Sequence, residues 1–502
     1  MNLDALANLP TGPTQKPSNF VPSQYQSAVF ETLTTTSDNL IVDAVAGSGK
    51  TRTIREALRL FPNSKLLYVA FNKHIVEELK SLVPHNVHVC TSHSFGMAAC
   101  RRNMPGTFKV NENKCFNILK YHVLDEDEKK LRETYPFLRI LMQVVSLAKA
   151  NACKTLTMNK FDAIVQHHGF DIRPDKYDQC YEYASEILQV SRTQKRVIDF
   201  DDMIYLPVTN PNWDIDKYEI TFVDELQDLN QSQLLLMQAG SRRIVGVGDE
   251  HQAIYGFRGA DVNSMSNFQK MFNATRRPLS ICYRCSQRVI EAAQAFVPHI
   301  EFHPEAPIGK VGEVSEDQWW ERVKEGDYVL CRTTAPLVKN ALRCLKAKRK
   351  ATIKGRDIGE DLMELFPQRH DLGGFLVRKA ESLKNNDLAY AALCDRVAAF
   401  EALYEAYGEG IKQGIEEIFS NTTKGIIFSS IHRSKGLETD RVWLLAPELL
   451  PHPKASTEWE CEQERNLHYI ALTRAKKEFF YVLDNFSPQD SKAVETDTEE
   501  GE

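Results

Sequence analysis

The chain has 502 residues, 42% of them hydrophobic and 26% charged. That composition excludes disordered, collagen-like and disulfide-framework classes, and the length predicts two to four domains of about 100–200 residues each. The net charge of −6 lies entirely in the tail from Asp484 to Glu502, where seven acids face one base, Lys492; the remainder is neutral, so any basic groove must be local.

No apolar run reaches the ~18–20 residues of a membrane span. The start, Met1-Asn2-Leu3-Asp4, lacks a secretory signal. Eleven scattered cysteines suit reduced thiols, so a cytoplasmic location is expected.

Residues 1–20 are rich in Pro, Asn and Thr and read as a mobile leader. From Asn39 the pattern alternates. Apolar runs at Leu40–Val42, Lys65–Ala70, Val87–Cys90, Glu219–Val223 and Ile244–Val247 are each followed by turn or helix signals, which predicts a parallel sheet covered by helices. Further strand-like runs at Pro278–Ile281, Tyr328–Cys331, Gly425–Ile431, Val442–Leu445 and Phe479–Leu483 predict a second α/β core.

The stretches between are mostly helical. The expected organisation is a first core at 1–98 and 197–277, with a helical accessory insertion at 99–196. A second core follows at 278–366 and 421–486, with a short helical insertion at 367–420. Residues 487–502 form an acidic disordered tail.

Ala44-Val45-Ala46-Gly47-Ser48-Gly49-Lys50-Thr51 follows the first strand and opens a helix, the context that a phosphate loop requires. Backbone N–H groups of Ala46, Gly47, Ser48 and Gly49 would face phosphate oxygens at a helix N-terminus. Lys50 would neutralise the β- and γ-phosphates of ATP, and Thr51 would ligate Mg²⁺. The strict pattern has Gly where Ala44 stands.

The strand Ile220–Val223 runs into Asp224-Glu225-Leu226-Gln227-Asp228. An apolar strand ending in paired acids supplies the other half of a nucleotide-hydrolysis site. Asp224 would hold Mg²⁺, and Glu225 would take a proton from the attacking water.

The segment Val247–Ala260, containing Gly248-Asp249-Glu250-His251-Gln252 and Tyr255-Gly256-Phe257-Arg258, resembles the third motif of the UvrD/Rep/PcrA helicases of superfamily 1. Other matches follow in the family's order. They are Arg52 after the phosphate loop, Ala70-Phe71-Asn72-Lys73, Thr91–Phe95, Asp199-Phe200-Asp201-Asp202, Tyr283-Arg284, His432–Glu438 and Glu464–Ala475.

The resemblance implies an α/β protein with two RecA-like parallel-sheet motor cores and mostly helical insertions, of the P-loop NTPase kind, binding ATP between the cores. It implies that Arg284 and Arg474 join Lys50 on the charge of the γ-phosphoryl transition state. It implies that Gln252 reports the γ-phosphate, that Tyr283 and Arg52 sandwich the adenine, and that Glu438 accepts from the ribose hydroxyl. A glutamine upstream of the first core reads the adenine edge; Gln24 and Gln26 both qualify, with Gln26 favoured.

Phe71, His93, Tyr255, Phe257 and Arg258 match positions lining a single-strand track, where stacking platforms and phosphate contacts grip the strand. Phe257 stands where the family usually has Trp. The implied partners are single-stranded DNA and single-strand/duplex junctions, with no membrane. The implied activity is that of a DNA-stimulated ATPase and helicase, moving 3′→5′ and unwinding duplex in repair, recombination or replication.

The basic run Lys346, Lys348, Arg349, Lys350, Lys354 and Arg356 reads equally as phosphate contacts or as a solvated helix face. Cys282 replaces a common Asn and pairs with Cys285 in a Cys-x-x-Cys; both read as buried thiols. The second insertion is shorter than in relatives. That motivates the alternative of a translocase that strips proteins from single strands without productive unwinding. The short tail predicts no nuclease domain of the RecB/AddA kind. A non-catalytic scaffold is disfavoured by intact Lys50, Glu225, Arg284 and Arg474, and a small-molecule kinase has no use for a second core.

Overall fold

The structure, a computed structural model, describes residues 20–104, 106–194, 196–254, 256, 264–382, 387–419 and 424–483. The chain divides into two compact units, one ending at Ser280 and the other starting at Ile281.

The first unit is built on six parallel strands: β1 (Leu40–Ala44), β2 (Leu66–Ala70), β3 (Val87–Thr91), β4 (Tyr218–Val223), β5 (Ser241–Gly248) and β6 (Thr275–Leu279). They lie in the order β3-β2-β4-β5-β1-β6. The largely apolar, buried runs of β1, β2 and β4 fit strands covered on both faces. Helices α1 (Gln24–Thr35) and α2 (Lys50–Leu58) contribute Val29, Phe30, Leu33, Ile54 and Leu58 to one core layer.

The strand expected at Pro278–Ile281 is divided. Thr275–Leu279 pairs with β1, and Ile281–Cys282 pairs with Glu301–Phe302 in the second unit. The boundary therefore falls after Ser280, not after residue 277. The apolar Leu279 marks a strand in the sequence, but only pairing decides which sheet takes it.

Between α3 (Ser92–Asn103) and α6 (Phe200–Thr209) lies a helical region with its own hydrophobic core. Leu141 and Val144 of α4 (Leu138–Ala150), with Ile187 and Leu188 of α5 (Pro174–Thr193), pack on Met203, Tyr205 and Leu206 of α6. Helices α3 and α6 touch at Gly96, where an added Cβ would lie 2.0 Å from the Met203 carbonyl oxygen.

A buried ion network fastens this region to α6. Lys114 Nζ lies 2.5 Å from Asp202 Oδ2 and donates to the Ser191 carbonyl at 2.8 Å. Lys149 Nζ lies 2.5 Å from Asp199 Oδ2 and 2.9 Å from Asp202 Oδ1. Asp202→Ala would leave the buried Lys114 ammonium without its carboxylate. The expected loss is about 3–5 kcal/mol of unfolding free energy, measured by urea denaturation.

The second unit has six parallel strands: β7 (Lys310–Ser315), β8 (Tyr328–Cys331), β9 (Ala351–Ile353), β10 (Ile426–Ser430), β11 (Thr439–Leu445) and β12 (Ala475–Leu483). Their order is β7-β12-β11-β8-β10-β9. The two outermost, β7 and β9, gave no strand signal in the sequence: β7 is mostly half-buried or exposed, with only Val314 buried, and β9 has only three residues.

The described helices within the stretch expected as a short insertion pack on the second core. Val397, Phe400 and Leu403 of α8 (Asp387–Tyr407) share one core with Leu337 and Val338 of α7 (Ala335–Lys346) and with Phe428 and Trp443 of the sheet. The N-terminus of α7 has no cap of its own. The Asp395 carboxylate of α8 accepts from the N–H groups of Thr334 and Ala335 at 2.7 and 2.8 Å.

The basic run from Lys346 to Arg356 is no single helix face. It passes from the end of α7 through a turn and β9 to another helix start. Its Arg349 donates to the Trp320 carbonyl at 2.9 Å.

Candidate functional site

The phosphate loop leaves the C-terminal end of β1. Gly47 and Gly49 take φ values of 68° and 82°, a left-handed backbone that favours glycine. Gly49 is the N-cap of α2 and provides no side-chain acceptor for the first-turn N–H groups. Those donors and the helix dipole suit an anion.

Ser48 Oγ is buried and has no hydrogen-bond partner among the described residues, so the loop keeps a polar atom that a phosphate would satisfy. Lys50 Nζ donates to the Ala44 and Val45 carbonyls at 2.5 and 3.2 Å and lies 3.8 Å from Asp249 Oδ2. Thr51 is exposed in the first turn of the helix.

The acids follow β4, and the glutamine follows β5. Since β5 lies between β4 and β1, all three segments meet at one edge of the sheet. Asp224 Oδ2 accepts from the Tyr68 hydroxyl at 2.9 Å, and Asp224 Oδ1 accepts from the N–H of Glu225 at 3.0 Å.

Glu225 has a left-handed φ of 52° and accepts from Gln227 Nε2 at 2.5 Å. Gln227 Oε1 in turn accepts from the N–H of Asp249 at 3.0 Å, and Asp249 Oδ2 accepts from Gln252 Nε2 at 2.6 Å. One chain of contacts thus joins Glu225, Gln227, Asp249, Gln252 and Lys50. Gln227 and Asp249 stand inside motifs visible in the sequence, but their linking role depends on β4 and β5 being neighbours. Tyr68 gives no sequence signal beyond an apolar strand.

Burial, and then the charge of Glu225, pushes the Asp224 carboxyl up to about 6. Burial also raises Asp249, against the pull of Lys50. A carboxylate holds a cation only when ionised, so if Asp224 has the role that the motif implies, ATP turnover would fall as pH drops through about 6. The Tyr68 hydroxyl favours the ionised form of Asp224. Tyr68→Phe should therefore move the acid limb of the pH–rate profile to higher pH; an unmoved limb would refute this role.

Of the two glutamines considered for the adenine edge, Gln24 is exposed and Gln26 is buried. Gln26 Oε1 accepts from the N–H of Ser23 at 3.0 Å, closing a capping box on α1, and its Nε2 donates to Thr53 Oγ1 at 3.0 Å. Arg52 has its guanidinium 4.9 Å from the centre of the Phe20 ring and its Nε 3.5 Å from Glu56.

In the second unit the structure brings four predicted residues into one neighbourhood. Tyr283 is 47% exposed, with its ring 5.1 Å from that of His303. Arg284 pairs with Glu438 at 2.5 Å and donates to the Thr473 carbonyl at 3.2 Å. Glu438 also pairs with Lys476 at 2.7 Å. Arg474 is buried; its guanidinium donates to the carbonyls of Ile470 and Leu437 at 3.0 and 3.1 Å and to Thr473 Oγ1 at 3.2 Å. Both guanidiniums therefore converge on Thr473, which stands inside the Glu464–Ala475 motif but is not among the residues predicted for the site.

Of the nucleic-acid candidates, Phe71 is 39% exposed just past the end of β2. His93 is in the first turn of α3, where burial lowers its pKa and favours the neutral ring. Tyr255, Phe257 and Arg258 lie outside the described residues. The structure adds an aromatic not counted among the candidates: Phe200, 49% exposed, packs edge-on to His93 at 6.5 Å. Its place in the Asp199–Asp202 motif could have marked it.

These features define the first unit as a P-loop nucleotide-binding core on a parallel α/β sheet. Residues 25–273 match the UvrD/REP helicase N-terminal domain, and residues 405–485 match the UvrD-like helicase C-terminal domain. The chain belongs to the UvrD/Rep helicase family.

The F-box DNA helicase protein 1 of Schizosaccharomyces pombe is 22% identical over 93% of this chain and 58% of its own length. The ATP-dependent DNA helicase PcrA of Leuconostoc citreum is 26% identical over 54% of this chain and 38% of its own. The ATP-dependent DNA helicase Rep of Escherichia coli is 28% identical over 56% and 44%. The chain thus spans between 38% and 58% of the length of these relatives. No described helix is long and apolar enough to cross a membrane.

Proposed function

We propose that the chain is an ATP-dependent DNA helicase, hydrolysing ATP to move 3′→5′ along single-stranded DNA and to open duplex at junctions. The supporting observation is the run of contacts from Glu225 through Gln227 and Asp249 to Gln252 and Lys50, on three neighbouring strand ends. It couples a proton acceptor, a phosphate-facing cation and an amide sensor.

Lys50 would exchange the Ala44 and Val45 carbonyls for phosphate oxygens. Glu225, held by Gln227, would accept the proton of the attacking water. The Thr51 hydroxyl and the Asp224 carboxylate, both hard oxygen donors, would hold Mg²⁺, which neutralises phosphate charge. Arg284 and Arg474 would supply positive charge from the second unit. Phe71, His93 and Phe200, with Tyr255, Phe257 and Arg258, would carry the strand.

Strand displacement on 3′-tailed and 5′-tailed duplexes tests the reading. Opening of the 3′-tailed substrate alone, dependent on ATP, is expected; opening of the 5′-tailed one would reverse the polarity. The packing of Leu372, Val397, Phe400, Leu403 and Ile418 into the second core favours a second reading, a translocase that strips bound proteins. It predicts protein displacement from single strands with neither duplex opened.

A further inference from the structure

The pair Cys282 and Cys285 is not used by the proposed mechanism, yet it brackets two residues that are. Cys282 ends the short strand Ile281–Cys282, and its carbonyl accepts from the N–H of His303 at 3.2 Å. On the other side, the N–H of Ser286 donates to the Lys476 carbonyl at 2.8 Å. The turn between is anchored at both ends. Cys285 Sγ lies 3.7 Å from the Thr473 carbonyl oxygen, the atom that also accepts from Arg284.

The Cys282 sulfur is surrounded by donors: the Cys285 thiol and the backbone N–H groups of Cys285 and Arg284. Burial, the largest cause in each, pushes Cys90, Cys100 and Cys180 up to about 12. Cys282 is equally buried, but the Cys285 hydrogen bond, with the backbone donors, brings it down to about 7. Two thiols that face each other across one anchored turn have the arrangement of an attacking and a resolving sulfur.

We propose that Cys282 and Cys285 form an oxidisable dithiol, which peroxide closes to a disulfide and which thereby switches off ATP hydrolysis through Tyr283 and Arg284. The Cys282 thiolate attacks hydrogen peroxide, giving a sulfenic acid and hydroxide. The Cys285 thiol then attacks that sulfur, forming the S–S bond and releasing water. Peroxide is reduced, two sulfurs are oxidised, and a dithiol reductant reverses the change.

Both flanks of the turn are pinned, so the shift falls on Tyr283 and Arg284 and draws Arg284 from Glu438 and the Thr473 carbonyl. Both sulfurs are buried, next in sequence to exposed Tyr283, and residues 283–285 between the anchors belong to no helix or strand, so oxidation requires a local opening of that short segment. The loss of turnover rests on the function proposed above; the disulfide itself does not.

The test treats the full chain with hydrogen peroxide, blocks remaining thiols with iodoacetamide, and maps unreduced peptides by mass. The peptide holding residues 282–285 should lose two hydrogens before the other nine cysteines react, and dithiothreitol should restore it. Oxidation of the other cysteines with this peptide still reduced would overturn the proposal.

DNA-stimulated ATPase is followed in parallel. It should fall at least tenfold as the disulfide forms, recover with dithiothreitol, and stay insensitive to peroxide in Cys282→Ser and in Cys285→Ala. A disulfide without loss of turnover would overturn the switch. A reduced chain without ATPase would instead refute the proposed function, while the mass measurement still decides the dithiol.

Discussion

Lys50→Ala is expected to abolish DNA-stimulated ATP turnover while leaving the first unit folded. The Lys50 ammonium is held by two backbone carbonyls of its own loop and lies 3.8 Å from Asp249. Its side chain is 12% exposed, so water can take over those carbonyls when it is removed.

The catalytic loss has no such substitute. A preorganised charge on the transferring phosphoryl group contributes about 10²–10³-fold or more in turnover. The variant also removes the charge that favours ionised Asp249, the acceptor for Gln252. Turnover at saturating single-stranded DNA and the thermal midpoint should be measured on one sample. A variant that turns over at the normal rate would show that the loop is not the site.

Arg284→Ala should lower turnover by about 10³–10⁵-fold, the range for an arginine that meets transition-state charge, with little change in nucleotide affinity. Arg284 is partly exposed and held mainly by Glu438, which keeps Lys476 when Arg284 is lost. Little folding energy depends on it.

Arg474 differs. Its guanidinium is buried and satisfied by two carbonyls and a hydroxyl of its own unit. Arg474→Ala should therefore cost turnover and thermal stability together, because those acceptors lose their donor in a dry setting. Arg284→Lys keeps the charge but not the fork, and should recover only part of the rate. Loss of nucleotide binding in Arg284→Ala, at unchanged turnover, would rule out its assigned role.

The strands on which the first site stands were legible because a parallel strand covered on both faces must be apolar along its length. Leu40–Ala44 and Tyr218–Val223 announce themselves that way. The phosphate loop was equally visible, since glycines, lysine and threonine must stand in fixed order for a backbone to wrap a phosphate. The edge strand Ala351–Ile353 was not legible: three residues carry too little periodicity to register.

What the sequence determined by itself was the order of short motifs, each needing only a few consecutive residues. Tertiary structure alone decided which of them share an environment. The pairing of β5 between β4 and β1 makes Gln227 and Asp249 a bridge. The packing of α8 on α7 joins the helices of the expected insertion to the core of the second sheet. The anchored turn at Cys282–Cys285 brings both Arg284 and the Cys285 sulfur to the Thr473 carbonyl. Contacts between distant residues depend on the whole sheet order and on buried surface contributed from many places, and no local window of sequence carries that information.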